Sequence, residues 1–440
     1  MTVSRWQVGM ISALSFMAVG VASSHAEIIG NASQELIQLE ARIFNNPNNL
    51  DLYFQYAKLA KQVQNQREEE WAYRSMLKLN PLLHRIKLDL ALLHMQMGKT
   101  KSAEALFTKV LAQEDIPLEV ETNVKAMLKN VKKMNSPHRL TGSVTAGYNH
   151  DTNANTAPGT GEIIFQDINI PLDDASQSQD DGQGFVAVSI GHSYRFDVPE
   201  KRNYQAKWNT SATVYRAEQI DIDSLNLLLI GVKTGPEWYL KDSKVNLKAN
   251  AGFSYVNLDN RDYLNIYSLD ARVSKQMTDR LNVFTEVLGE NRRFKNTPTN
   301  TTFSDRSGNA IQAKAGAHYV LVANGLLTIE GIYRRENTRT AYNDNDQVSV
   351  VSSYTHSLPK GFFVNLQGSM KNTSYDGVDP LVSATTIRDD DETSYGVTVG
   401  NRITDKMTVT AGYQYRDVES NLQNYTYDNH RFSSAVSLRF

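Results

Sequence analysis

The sequence predicts an α+β multidomain protein: N-terminal α-helical tetratricopeptide-like repeats, then a C-terminal antiparallel transmembrane β-barrel of about fourteen strands. Three observations carry this. The apolar period changes from helical to two near Pro137. The segments of period two run about ten residues or longer, the length a tilted membrane strand needs. Their connections alternate between short turns and long polar loops, as they do when one side of a barrel is built differently from the other.

The first element is a secretory signal over residues 1–26. Arg5 supplies the positive start and "VGMISALSFMAVGVA" the short apolar run. Ser24 and Ala26 are small residues in front of a cleavage site at Glu27. At about 15 residues the run is short for a membrane span. The 440-residue chain has no cysteine, which excludes disulfides, thiolate metal sites and a cysteine nucleophile. Its formal net charge of −2 gives no bulk attraction to nucleic acid.

A helical domain is expected over 27–136. Asn46-Pro47 and Asn80-Pro81 recur 34 residues apart, the tetratricopeptide period. The same register pairs Leu52 with Ile86, Ala57 with Ala91, Tyr73 with Phe107 and Leu77 with Leu111. Gly98 is placed at the turn between two amphipathic helices, with Ala103, Phe107 and Leu111 on the core face of the second. Two repeats and a leading helix are near the minimum for a stable stack, and such stacks offer a concave face to a peptide or protein.

Residues 137–440 read as the barrel. In "KMTVTAGYQYR", Met407, Val409, Ala411, Tyr413 and Tyr415 alternate with polar or small residues. Strand cores are expected at 140–150, 184–196, 203–216, 224–236, 244–257, 263–276, 280–292, 308–321, 325–336, 347–357, 361–373, 393–403, 406–417 and 429–440. Long loops are expected at 151–183, 216–224, 257–263, 291–307, 337–346, 375–392 and 418–429. The chain ends "FSSAVSLRF", an amphipathic strand closing on Phe440, which resembles the assembly signal of bacterial outer-membrane barrels. The twenty-one tyrosines suit interfacial girdles. Both chain ends would then lie on the periplasmic side.

Positions opposite the apolar faces should point into the lumen. They include Lys207, Lys248, Asp270, Arg272, Glu286, Lys314, Glu330, Arg334 and Arg416. The simplest reading is an interior solvated by salt bridges. The functional reading is a polar conduit that does not grip its cargo. No Ser/His/Asp or Cys/His arrangement has motif support, and the nine histidines show no metal-ligand spacing, so no enzyme, cofactor or metal is expected.

The stretch "GYNHDTNANTAPG" (147–159) places Asp151, Asn153 and Asn155 as the first ligands of an EF-hand, with Glu162 twelfth. The sixth position is Thr156 where that loop needs glycine, so a turn built by Asp, Asn and Thr is the better reading. Gly147, Tyr148, Asp151, Asn153, Asn155, Ala157 and Pro158, with the signal, the helical repeats and the barrel, resemble the surface lipoprotein assembly modifier (Slam) family. The resemblance implies an outer-membrane translocator of the type XI secretion system. It would export a specific client protein, a surface lipoprotein or a soluble and in some cases haem-binding one, with the repeats in the periplasm. Implied partners are outer-membrane lipid, a client encoded nearby, the barrel-assembly machinery and periplasmic chaperones, without nucleic acid. A polysaccharide exporter, which also joins such repeats to a barrel, is the main alternative, followed by a passive porin or adhesin.

Overall fold

The computed structural model describes residues 34–113, 116–174, 176–199, 202–297 and 300–440. The signal sequence expected over 1–26 lies outside the described residues. The chain divides into two compact units, one up to Ser136 and one from Pro137 to Phe440.

The first unit is helical. Helix α1 covers 34–45. It is followed by α2 (Leu50–Gln62), α3 (Gln66–Leu79), α4 (His84–Gln96), α5 (Thr100–Leu111) and α6 (Leu118–Asn135). Leu50 and His84, and Gln66 and Thr100, start helices 34 residues apart. Asn49 caps α2 by accepting from the Asp51 amide at 3.0 Å. Gly98 joins α4 to α5 at φ +70°, a conformation that favours glycine. Ala60, Ala72, Ala91 and Ala103 are fully buried and let the helices approach closely, while Phe107, Val124 and Val131 fill the core.

The second unit is a closed antiparallel barrel. Its chain order is β1 (His138–Asp151), β2 (Glu162–Phe165), β3 (Ile168–Pro171), β4 (Asp181–Arg195), β5 (Tyr204–Gln219), β6 (Leu227–Leu240), β7 (Val245–Leu258) and β8 (Arg261–Gln276). It continues with β9 (Leu281–Phe294), β10 (Gly308–Val322), β11 (Gly325–Asn337), β12 (Asn345–Ser357), β13 (Phe362–Val378), β14 (Ile387–Arg402), β15 (Met407–Ser420) and β16 (Tyr427–Arg439). Fourteen of these form the barrel, every one beside its sequence neighbour, and β1 closes on β16. The other two, β2 and β3, form a separate hairpin inside the first long loop.

The alternation is inverted relative to a soluble sheet. On β8, Leu269 is 69% exposed and its neighbour Asp270 only 8%. Val273, Val287, Ile311, Ile329, Val348 and Met370 are likewise exposed on the outside. Such a band needs an apolar solvent around the barrel. Exposed Trp208, Trp238, Tyr319 and Phe362 sit toward the short-turn end, and Tyr148, Tyr267 and Tyr333 toward the long-loop end, as two girdles. Among the described residues no helix is long and apolar enough to cross a membrane; the strands do so.

Four loops differ most from expectation, among them that expected over 418–429, which shortens to 421–426 because β15 runs on to Ser420 and β16 begins at Tyr427. The connection expected over 257–263 is a two-residue turn, with Asp259 and Asn260 at φ +52° and +56°, because Asp and Asn tolerate the left-handed region that a tight hairpin requires. The loop expected over 375–392 shrinks, since β13 runs on to Val378 and β14 begins at Ile387. A charged run, "IRDDDE", supplies that strand start, where paired acids are held by Arg388 and Asn372. The loop expected over 151–183 contains β2 and β3.

Candidate functional site: the barrel interior and its rim

The inner wall is lined with cross-strand ion pairs. Lys207 lies 3.1 Å and Lys248 3.5 Å from the carboxylate of Glu237. Asp270 takes Lys233 at 2.5 Å. Arg272 meets Glu286 at 3.2 Å and stacks over the Phe284 ring at 3.8 Å. Lys314 meets Glu330 at 3.3 Å. Arg334 bridges Glu290 and Glu336 at 2.8 and 2.7 Å. Arg416 and Lys371 share Glu392 at 2.8 and 2.7 Å. All nine lumen positions named from the sequence thus stand in ion pairs. Sequence reasoning missed several partners, above all Lys233 and Glu237. Continuing the alternation of Leu228, Ile230, Val232 and Trp238 would have exposed them; Pro236 obscures it.

The pairs are spread unevenly. They link β5 through β11 and β13 through β15. Below its long-loop end, the wall around the β1 to β16 closure carries small hydroxyl residues instead. Thr145 bonds Ser437 at 2.8 Å across the closure, and Ser189 bonds Thr213 at 3.0 Å from β4 to β5.

The "GYNHDTNANTAP" stretch fastens that closure at the long-loop end. Asp151, 4% exposed, accepts from Arg431 Nε at 2.8 Å and from Asn429 Nδ2 at 2.7 Å. Asn153, equally buried, acts as a substitute peptide group. Its Nδ2 donates to the Ala157 carbonyl and its Oδ1 accepts from the Ala157 amide, both at 2.9 Å. Its own amide donates to Asn429 Oδ1 at 3.1 Å, which ties the loop to β16. Asn155 donates to the Gln177 carbonyl at 2.7 Å and accepts from the Gln179 amide at 3.1 Å, which ties it to the far end of the same loop. Thr156 takes φ +52°, and Ala157 and Pro158 are buried. Gly147 is required by space: a Cβ there would stand 2.5 Å from the Ser434 carbonyl and 2.6 Å from the Phe185 ring. Tyr148 points outward. At the other end of the seam, Gly142 and Phe440 exchange backbone hydrogen bonds at 2.9 and 3.0 Å, and the Phe440 ring covers Gly142.

The polar oxygens that suggested calcium ligands are therefore occupied by protein donors, and Glu162 stands apart in β2. Among the described residues no group of three or more His, Asp or Glu is arranged to hold a metal.

The β2 to β3 hairpin lies over neighbouring loops. Asn424 receives the Ile164 amide at 2.6 Å and donates to its carbonyl at 2.8 Å. At the hairpin tip the amides of Gln166 and Asp167 bond the carbonyls of Leu381 and Val382 at 2.9 and 3.0 Å. The Asp167 carboxylate takes the Ser383 hydroxyl and the Ala384 amide. Three long loops are thereby joined at one end of the barrel.

In the helical unit, one buried carboxylate gathers three basic groups. Glu70 accepts from Arg74 at 2.7 Å, from His94 Nε2 at 3.1 Å and from Lys99. Burial pushes the Glu70 carboxyl up, but hydrogen bonds from Lys99 and His94 and the charge of Arg74 outweigh it, so it sits below its ordinary value. Burial holds the His94 imidazole below its ordinary value against the pull of Glu70.

With this geometry in hand, the comparisons with known proteins are informative. Among solved structures, the chain is similar to an anion-selective porin from Comamonas acidovorans, at 8% identity over 69% of this chain and 99% of that one, with a TM-score of 0.37. It is similar to the outer-membrane channel DcaP of Acinetobacter baumannii at 11% identity, over 69% and 97%, with a TM-score of 0.40. No curated protein matches. A family model described as surface lipoprotein assembly modifier matches residues 141–440, which is the barrel from its first strand to its last residue. The chain is an outer-membrane β-barrel protein and belongs to the surface lipoprotein assembly modifier family.

Proposed function

We propose that this protein exports a specific client protein across the outer membrane, with the helical unit on the periplasmic side. The observation that carries the reading is the family match across the whole barrel. A helical unit joined directly to the first strand adds to it. In this reading the short-turn end of the barrel faces the periplasm and the long loops face outward, the arrangement usual for outer-membrane barrels. The repeats receive the unfolded or chaperone-held client, and the barrel passes it outward. The client is a surface lipoprotein or a soluble secreted protein, haem-binding in some cases, encoded near this gene. Assembly of the barrel itself uses the outer-membrane barrel-assembly machinery. The role is transport, and the drive comes from folding or capture of the client outside.

The ion-paired lumen suits such a task. Charges already matched to one another keep the wall wet and leave few strong fixed fields to hold a passing chain. The test is to co-express the protein with the product of the adjacent gene and digest intact cells with protease. Surface exposure of that product should depend on the barrel, and on residues 27–136. Equal exposure without 27–136 removes the receiving role, and equal exposure without the whole protein removes the export role.

A further inference from the structure

Three cations converge at one place on the inner wall, and one of them has no carboxylate partner among the described residues. A cavity of about 320 Å³ opens on the inner wall toward the short-turn end, bounded by Arg139 of β1, Lys207 of β5 and Lys233 of β6. Its floor follows two lateral rows of the sheet. Arg139 is the register partner of Ser193, which faces Asn209, which faces Gly235. In the next row Thr141 faces Gly191, which faces Ser211, which faces Lys233. Glycine and serine keep the floor low, and the long cationic side chains rise at its two ends.

The charge count is unequal. Glu237 serves both Lys207 and Lys248, and Asp270 serves Lys233. Arg139 is exposed and has no ion pair or side-chain hydrogen bond among the described residues. In this group of described residues Arg139, Lys207, Lys233 and Lys248 thus have two carboxylates between them, and neither carboxylate is part of the cavity lining. Hydroxyls and amides of Thr141, Ser193, Asn209, Ser211 and Asn250 line the space between.

We propose that this cavity binds acidic stretches of polypeptide, and that it is where carboxylates of a client first engage the barrel. The inference rests on the export reading. Three features favour a peptide over a single small anion. Arg139 and Lys233 stand three strands apart, about 14 Å between backbones, so they suit two separated carboxylates better than one phosphate. The volume exceeds what one inorganic anion fills. The hydroxyl and amide lining supplies donors and acceptors for a peptide backbone, which a simple anion does not need. The cavity faces the lumen, so a headgroup of the surrounding bilayer does not meet it. The uncompensated charge also draws an acidic chain toward this mouth by steering.

The test uses full-length protein in detergent with fluorescein-labelled hexaglutamate, read by anisotropy. The variants are Arg139→Gln, which breaks no ion pair, and the double variant Lys233→Gln/Asp270→Asn, which leaves no charge stranded. Hexaglutamate binds and hexalysine does not; each variant weakens hexaglutamate about fivefold or more, and added salt does the same. Inorganic phosphate at matched total charge competes poorly. Unchanged hexaglutamate affinity in both variants, absence of binding, or equal competition by phosphate overturns the proposal, the last by showing a small-anion site. Export of the neighbouring gene's product by the unaltered protein, assayed separately, decides the reading beneath it: loss of that export with intact hexaglutamate binding removes the reading and leaves the site standing.

Discussion

The two units of this chain solve opposite solvent problems with the same residue types. The helical unit buries Phe107, Val124 and Val131 completely and, apart from the Glu69, Glu70 and His94 side chains, keeps its charged groups out of its core. The barrel exposes Leu269 and Met370 by 69% and 67% and buries Glu237 and Asp270 to 6% and 8%. The difference teaches that amphipathic alternation states only that two faces differ. Which face turns inward depends on what surrounds the fold, and closing fourteen strands gives the polar face an interior of its own.

This contrast can be broken or sharpened by substitution. The largest effect is expected at the barrel closure. Gly147→Val should prevent β1 from pairing with β16, because its Cβ would overlap the Ser434 carbonyl and the Phe185 ring. The variant should lose the heat-modifiable band of a folded barrel on a semi-native gel. A normal band would show that the seam tolerates side chains there. Phe107→Ala should cost the helical unit about 3–5 kcal/mol through the cavity it leaves. Chemical denaturation followed at 222 nm should show the helical transition moving while the barrel's gel mobility stays unchanged. Movement of both would contradict two independent cores.

On the barrel's outer face, Leu269→Arg should cost about 2–4 kcal/mol, read by unfolding of the protein in lipid vesicles. A cost near zero would mean that this position is not lipid-facing. Asp151→Ala should cost roughly 1–3 kcal/mol, below the value for a fully buried pair because Arg431 is half exposed. It should raise hydrogen exchange in β1 and β16 near the long loops and leave β8 and β9 alone.

The smallest effect is pH dependence of the helical unit. His94 has a folded value below its ordinary 6.5, so its contribution is fully present above 6.5 and is lost as pH falls through the lowered folded value. Glu70 has a folded value below its ordinary 4.5, so its contribution is present above 4.5 and is lost as pH falls further. Helix stability should therefore decline from pH 7 to pH 5, and His94→Gln should flatten that decline. An unchanged slope in His94→Gln would assign the decline to another group.

Much of this was legible because local patterns are rigid rules. The 34-residue spacing of Asn46-Pro47 and Asn80-Pro81 placed the helices, the alternation in "KMTVTAGYQYR" placed a strand and its two faces, and strand length with the alternation of short and long connections said which face is outward. The nine lumen charges followed from the same parity. Several of their partners did not, since which residue lies beside which is a matter of register, and Glu237 reaches Lys248 and Lys207 from strands on both sides. The turn at Asp259 and Asn260 was read as a longer loop because polar residues announce a turn without announcing its length.

The sequence by itself determined the helical period, the strand period and the turn-forming character of "GYNHDTNANTAPG", because these depend on neighbours a few residues apart. Only the tertiary structure decided what that turn does. Asp151 and Asn153 find Arg431 and Asn429 some 280 residues later only when the barrel closes. The cationic cavity has the same origin: Arg139, Lys207 and Lys233 come together because β1, β4, β5 and β6 lie side by side in the sheet.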